Sequence, residues 1–597
     1  MTEFPEIGEL GVIGDARTTA VIAPDGAVKF LCLPQLDGQI VLGSVLDPEA
    51  GVFEFEPEGS ATSELRYVRD TNVLRTRWRC AGGEVVVLDA LLGGPGGEAA
   101  TTTLVRRAEC VEGLVRMRFR LVPRFGEGLT PPNEVSPVAG GFRIVGDDLT
   151  LCFGAPDAQW VDGELRGTLQ LHAGERRTLT LAVGEPPPDP ERAAGYMDAT
   201  VRSWRAWTAG LHCEGRWSDA VTRSALALRL LIRDTTGAIA AAGTLGLPEQ
   251  PGGERNYDYR YCWVRDASFV VDALCSVGAR ESARRYLQWL GDALASTSPR
   301  LQPFYRLDGG AEAPEHNAAL LGYRGASPVR IGNHAYSQLQ LASCGDMLQS
   351  CALMHEHRIE LPASVASGIA HAIDELVSIW QQPDHGIWEI DPPRQHTWSK
   401  MGCWIAFTRA AELSEAGVID GDADRWRRTA TEVRERIESR HYSTELDTYV
   451  AAEGEGGLDA AVLLGVFMGY EPSSAERWHS TLAAIDRELG AGPLLYRSTG
   501  LRDQEQTFLP CAFWRAHALV RLGRLDEARD LLDQLIAGAG SLGLFSEEAA
   551  QDGTLWGNIP QALTHAALIN ACVTYEQRAA ADRRPFAAVR KAGGRPR

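Results

Sequence analysis

Five short segments concentrate the chemically capable side chains of this chain. They are RNYDYRYCWVRDA at 255–267, GYRGASPVRIGNHAY at 322–336, HGIWEIDPPRQHTWSK at 385–400, LLYRSTGLRDQEQTF at 494–508 and LFSEEAAQDGTLWGNIPQ at 544–561. Each interleaves aromatic rings with carboxylates, amides and arginines. That mixture suits a sugar, whose C–H faces stack on rings while its hydroxyls take paired hydrogen bonds from Asp and Arg. In the third segment Glu389 stands between Trp388 and Ile390. Desolvation disfavours the charged carboxylate, so Glu389 is either an acid held neutral or a glutamate reaching for solvent. The chain has no Walker loop, no G-x-G-x-x-G after a strand, no H-E-x-x-H and no G-x-S-x-G.

Two regions of different period must position these segments. Residues 1–190 read as short alternating or β-branched runs, among them GVFEFEPE, GEVVVLDALL, VRMRFRLVP and RTLTLAVGE, separated by Gly, Pro and Asp-Gly signals. They predict an antiparallel β-sandwich domain. A helical linker is expected over 191–215. From 216 to 580 twelve helical windows follow one another, some apolar nearly all round and others amphipathic and charged. Alternating buried and half-exposed helices predict an (α/α)6 barrel, whose inner helices would bring the five segments to one rim. The last residues, 581–597, read as a basic flexible tail.

Composition narrows the partners. The formal charge of −20 over 597 residues argues against nucleic acid and anionic membranes. The N-terminus lacks the pattern of a signal peptide, no apolar run is long enough to span a bilayer, and the 12 cysteines are scattered without a C-x-x-C. A cytoplasmic protein with reduced thiols is expected.

The five segments together resemble the catalytic barrel of glycoside hydrolase family 15, the glucoamylase-like enzymes. The stretches that carry the resemblance are NYDYRYCWVRDASF, GYRGASPVRIGNHAYSQLQL, HGIWEI with HTWSKMGCWIAF, TFLPCAFW, and LFSEE with LWGNIPQALTHAALI. The first half resembles bacterial members through GVIGDARTTAVIAPDGAVKFLCLP, which makes the β domain a super-sandwich. The resemblance implies an inverting, exo-acting α-glucoside hydrolase. Inversion places two carboxyls about 6.5–9.5 Å apart with a water between them. By motif Glu389 matches the general acid, favoured in its protonated form by Ile387 and Trp388, and Glu547 matches the general base, expected to stay ionised. Glu548 is the rival base. Arg265 and Asp266 match the clamp of the innermost subsite, with Trp263, Tyr259 and Trp388 as walls and Arg497 as a further arginine. Lys400, Arg394, Asn333 and His334 are weaker candidates.

The resemblance leaves the substrate open. The leading expectation is release of β-glucose from short α-glucans; trehalose hydrolysis on the same pocket is the alternative, and a non-catalytic sugar-binding protein the more distant one. No metal or other cofactor is implied, and oligomeric state is not legible. The chain departs from the family pattern at IDPPRQH after Glu389 and at Lys29–Phe30, both expected to bear on the leaving-group side.

Overall fold

The computed structural model describes residues 4–96, 101–155, 157–184 and 189–592. Fifteen strands form the N-terminal part, and all of them join through one 20-residue strand, Thr103–Val122. Its first half pairs with Gly83–Leu91 and Arg176–Val183, and its second half with Val52–Pro57 and Glu164–His172. One continuous strand therefore serves two facing layers. Between them Phe53, Phe55, Phe119 and Phe153 pack at 0–2% exposure, Phe53 meeting Phe153 edge-on at 5.5 Å. Arg106, on the first half of the shared strand, is fully buried in this interior. Its guanidinium pairs with Asp89 at 2.8 Å, donates to the carbonyls of Phe53 and Gly26, and lies 4.8 Å from the Phe53 ring centre.

The helical part has two rings. The helix α1 (Pro190–Ala209) leads into it. An inner ring is made by α3 (Val264–Ser276), α5 (Ser343–Glu356), α7 (Thr397–Glu415), α9 (Leu464–Met468) with the 3-10 turn Ala460–Leu463 before it, α11 (Leu509–Arg521) and α13 (Ala562–Ala592). Each touches the next, and α13 returns to α3, so the ring closes. Around it stand α2 (Ser218–Leu230), α4 (Arg280–Thr297), α6 (Ala363–Ile379), α8 (Ala423–Arg440), α10 (Glu476–Leu489) and α12 (Leu525–Ala537). This is the (α/α)6 barrel. Inner helices such as α11 are buried almost throughout, whereas the outer α8 buries one stripe. Several expected helical windows begin later than their pattern suggests, among them those of α5 and α11. Residues 332–342 form a short 3-10 turn and loop before α5, and 505–508 form a loop and short strand before α11. Both delays serve the rim, where extended chain carries the polar groups. The expected tail falls on the end of α13 and on residues 593–597, outside the described residues.

The two parts grip each other beneath the first motif. In RNYDYRYCW, Tyr257 and Tyr259 turn to the barrel mouth, while Asp258 and Arg260 turn the other way and are buried. Arg260 is held bidentately by Asp258 and donates to the carbonyls of Leu36 and Gly38 in the β domain. Thr19 and Asp47 add hydrogen bonds to Gly243 and Leu321. Lys29 does not reach the mouth; it lies 3.6 Å from Asp25, and Phe30 is a core residue. The contact with the first motif is made instead by residues 36–38.

Arg106→Met leaves Asp89 buried without its cation, and breaking such a pair costs about 3–5 kcal/mol. Calorimetry is expected to show a lowered transition for the β domain; an unchanged melt would show the pair to be dispensable.

Candidate active site

The loops before α3, α5, α7, α11 and α13 line one cavity of about 400 Å³. Its lining includes Tyr259, Trp263, Arg265, Asp266, His334, Trp388, Glu389, Arg394, Arg497 and Glu547, ten of the residues singled out by sequence. Asn333, Lys400 and Glu548 are not among them.

The cavity is organised by two rings four residues apart. Trp263 donates its indole N–H to Glu389 Oε1 at 2.7 Å, and Tyr259 donates its hydroxyl to Glu547 Oε1 at 3.1 Å. The rings meet edge-to-face at 5.6 Å, and Trp263 is fixed from behind by stacking on Phe304 at 4.4 Å. Gln340 adds a second donor to Glu389 Oε1 at 3.2 Å. With two N–H groups on Oε1, the proton of a neutral Glu389 belongs on Oε2.

Glu389 is presented by a tight turn. Ile390 N returns to the His385 carbonyl at 2.9 Å, and Glu389 itself adopts φ 58°, a strained value for a residue with a side chain. Gly386, at φ 66°, makes the turn possible, since a Cβ there would stand 2.8 Å from the His396 ring. Below the turn Asp384 accepts from Leu341 N and Ser399 Oγ. Arg265 ties the turn to the inner end of the cavity by donating to the Ile387 carbonyl at 2.8 Å while pairing with Asp266 at 2.9 Å. The sequence neighbour Trp388 does not wrap Glu389. Its indole points to Asp459, 2.9 Å away, and its ring stacks on Trp514.

Glu547 differs from expectation. Burial pushes its carboxyl up to about 8, the Glu249 carboxylate adds to the shift, and Arg497 and the Tyr259 hydroxyl oppose it. Its Oε2 is buried and has no partner among the described residues. The like charge that matters most is that of Glu249, 298 positions away, rather than Glu548 next door. Strand alternation turns Glu548 away from the cavity, where it accepts from Arg497 and from Gln506 N. Arg497 is likewise occupied: it pairs with Glu249, Glu505 and Glu548 under the cavity wall. Three carboxyls, Glu249, Glu505 and Glu548, thus share two guanidiniums, Arg255 and Arg497, and Glu547 lies beside them with no ion pair of its own among the described residues. Burial with so few cations favours retention of protons. Glu249, gripped by both arginines, is held below the usual carboxylate range, and Glu548 is pushed well above it. Glu249, Glu505 and Glu548 approach within 4.8 Å of one another, and the positive charge among them is the Arg497 guanidinium.

Two other candidates have local duties. Lys400, on the first turn of α7, is fully buried and donates to the carbonyls of Trp380 and Gln382, supporting the base of the Glu389 loop. Asn333 caps the turn before α5 by accepting from Ala335 N at 2.9 Å. Trp398 packs in the core, and Asn558 joins Thr244 to the Tyr257 carbonyl. All twelve cysteines are free thiols. Glu249, Arg255, Tyr257, Gln340, Asp459 and Glu505 were missed by sequence reasoning. Glu249 lies in GLPEQPGGE just ahead of the first motif, where Pro and Gly read only as a loop.

Comparisons with known proteins bear on the family and the fold. Residues 215–573 match Glycosyl hydrolases family 15, and residues 2–170 match Trehalase-like, N-terminal. The chain is 33% identical to the trehalase of Mycolicibacterium smegmatis, covering 96% of this chain and 91% of that protein. It is 34% identical to the trehalase of Mycobacterium tuberculosis, covering 96% and 89%. In structure it is similar to a bacterial glucoamylase solved with acarbose, at TM-score 0.70 and 12% identity, covering 97% of this chain and 94% of the other. Among the described residues, no helix is long and apolar enough to cross a membrane.

Gly386→Ala is expected to lower turnover on any hydrolysed glucoside at least ~10-fold, because small misplacement of a reacting group is costly. Near-normal kinetics would show that the turn tolerates a Cβ against His396.

Proposed function

Because the chain belongs to glycosyl hydrolases family 15, we propose that it hydrolyses α,α-trehalose to two glucoses with inversion at the attacked carbon. The observation that carries this reading is similarity to trehalases over 96% of the chain, the β domain and the rim loops included. The expectation of a glucoamylase acting on short α-glucans has support from the fold alone, at 12% identity, and trehalose takes its place. The cavity supports a small substrate too. At about 400 Å³ it lies near the lower end of the roughly 300–1,000 Å³ of ligand pockets, and its inner end is closed by Asp266 and Arg265.

In this reading Asp266 and Arg265 hold the hydroxyls of the inner glucose. Glu389 gives the proton on Oε2 to the glycosidic oxygen as its bond to the anomeric carbon breaks. A water on the opposite face forms the new carbon–oxygen bond and passes its proton to Glu547. Tyr259, hydrogen-bonded to Glu547, orients that carboxylate and the water beside it. One glucose leaves as the β-anomer, the attacked one, and the other retains its α configuration.

Fresh products from trehalose, followed by NMR, are therefore expected as equal α and β anomers; α-glucose alone would exclude inversion. No glucose from trehalose, with release from maltose, would return the reading to the glucoamylase type. Glu389→Gln and Glu547→Gln are each expected to lower kcat on trehalose at least ~10²-fold. On α-glucosyl fluoride, whose leaving group needs no proton, Glu389→Gln is expected to recover activity and Glu547→Gln is not.

The pH profile tests the base separately. Glu547 works when ionised, so kcat/KM rises as pH rises through its titration. With that carboxyl pushed up to about 8 in the free enzyme, the ascending limb is expected well above the ordinary carboxylate range. Glu249→Gln removes the like charge and is expected to move the limb to lower pH. A limb at pH 4–5 in the parent enzyme would sink this assignment.

A further inference from the structure

The cavity has a buried floor and an exposed rim. Trp263, Asp266, Trp388, Arg497, Phe508 and Glu547 are buried, whereas His334, Asp391, Arg394, Gly500 and Gln504 are exposed. A glucose bound at the closed end leaves its partner sugar against the rim. Most polar side chains there already have protein partners. Asp391 lies 3.2 Å from His385 Nε2, Arg394 Nη1 3.0 Å from Glu455, and Gln504 Nε2 donates to the Gly500 carbonyl.

His334 is different. Its Nδ1 lies 3.2 Å from Glu315 Oε2, and Glu315 is itself fixed by Arg330 Nε at 3.1 Å and by the His334 backbone N–H. Among the described residues Nε2 has no partner, and the ring lines the cavity. The backbone beneath is equally constrained. Asn333 caps the turn, and Gly332, at φ 77°, sits where a Cβ would be 2.2 Å from the Pro314 carbonyl. Glu315 raises the affinity of the ring for a proton, and Glu389 and Asp391 contribute to the same shift, which sets His334 within electrostatic reach of the proposed acid.

We infer that His334, oriented by Glu315, is the residue that recognises the hydroxyls of the leaving sugar through its free Nε2. The inference rests on the trehalase reading only for naming that sugar as glucose. The ring is suited to the task in both protonation states. With Nδ1–H committed to Glu315, Nε2 accepts when the ring is neutral and donates when it is charged, and a sugar hydroxyl can do either in return. The imidazole is also held before substrate arrives, which lowers the ordering cost of binding.

The test compares two substrates that share the inner glucose and differ in the leaving group, trehalose and α-glucosyl fluoride. His334→Ala is expected to lower kcat/KM for trehalose at least ~10-fold, mainly through KM, as loss of one well-placed hydrogen bond does. The fluoride, which has no hydroxyl on its leaving group, is expected to change less than ~2-fold. His334→Gln, which keeps a polar group at that position, is expected to recover part of the loss. Equal losses on both substrates, or no loss on trehalose, would overturn the inference. Should the parent enzyme cleave maltose and not trehalose, the trehalase reading fails; the same comparison with maltose then decides the role of His334.

Discussion

Both candidate carboxyls hang from one ring pair. Tyr259 holds Glu547 and Trp263 holds Glu389, and the two rings lock edge-to-face. The geometry of the pair is local, set within residues 259–263 of one extended segment, yet it registers groups 158 positions apart in the chain. That segment needs support from two directions. Phe304 stacks behind Trp263, and on the opposite side Arg260 and Asp258 anchor the same backbone to the β domain. The N-terminal domain thus acts on the site at one remove. It holds the strand from which both carboxyls are positioned and, among the described residues, adds no side chain to the cavity lining.

Electrostatics supplies the second constraint. A buried carboxylate is costly unless paired, and this wall buries four against two guanidiniums. The arrangement divides them unequally. Glu249 and Glu505 each contact both arginines, Glu548 pairs with Arg497, and Glu547 is left with a phenol on one oxygen and, among the described residues, no partner on the other. The least compensated carboxyl is therefore the one that lines the cavity. Its affinity for a proton follows from that placement, and a sugar hydroxyl or a water is the partner it lacks.

Much of the architecture was legible because it follows from periodicity. Twelve helical windows and most strands stand close to where the pattern put them, and the strongest motifs lie just before inner helices. What failed has identifiable causes. The strand Ala61–Tyr67 is exposed along most of its length and pairs only with Leu74–Cys80, so it carries no alternating apolar signal. The residue between Trp388 and Ile390 looked wrapped in apolar surface, but a left-handed backbone at Glu389 sends neighbours in sequence to different environments. Lys400 and Asn333 are weaker candidates through their motifs alone, and both turn out to support the site rather than line it; a motif preserves the support of a site as well as its contacts. Glu249 escaped notice because its significance depends on Arg497, a pairing across 248 positions that no local window contains, and Glu505 because a charged loop segment does not show that its Arg497–Glu505 pair is buried.

The same distinction bears on substrate choice. IDPPRQH looked like the stretch where specificity would reside, and it does border the cavity through Asp391 and Arg394. Yet both charges have protein partners, His385 and Glu455, and the backbone of Asp384 pairs with that of Arg394. Such a stretch defines the outline of the opening. Discrimination between sugars that differ in where their hydroxyls lie needs a polar atom that is fixed and still unsatisfied, because only then does the wrong substrate leave a partner missing. Among the rim side chains considered, His334 meets both conditions, with one nitrogen spent on rigidity and the other left for the ligand.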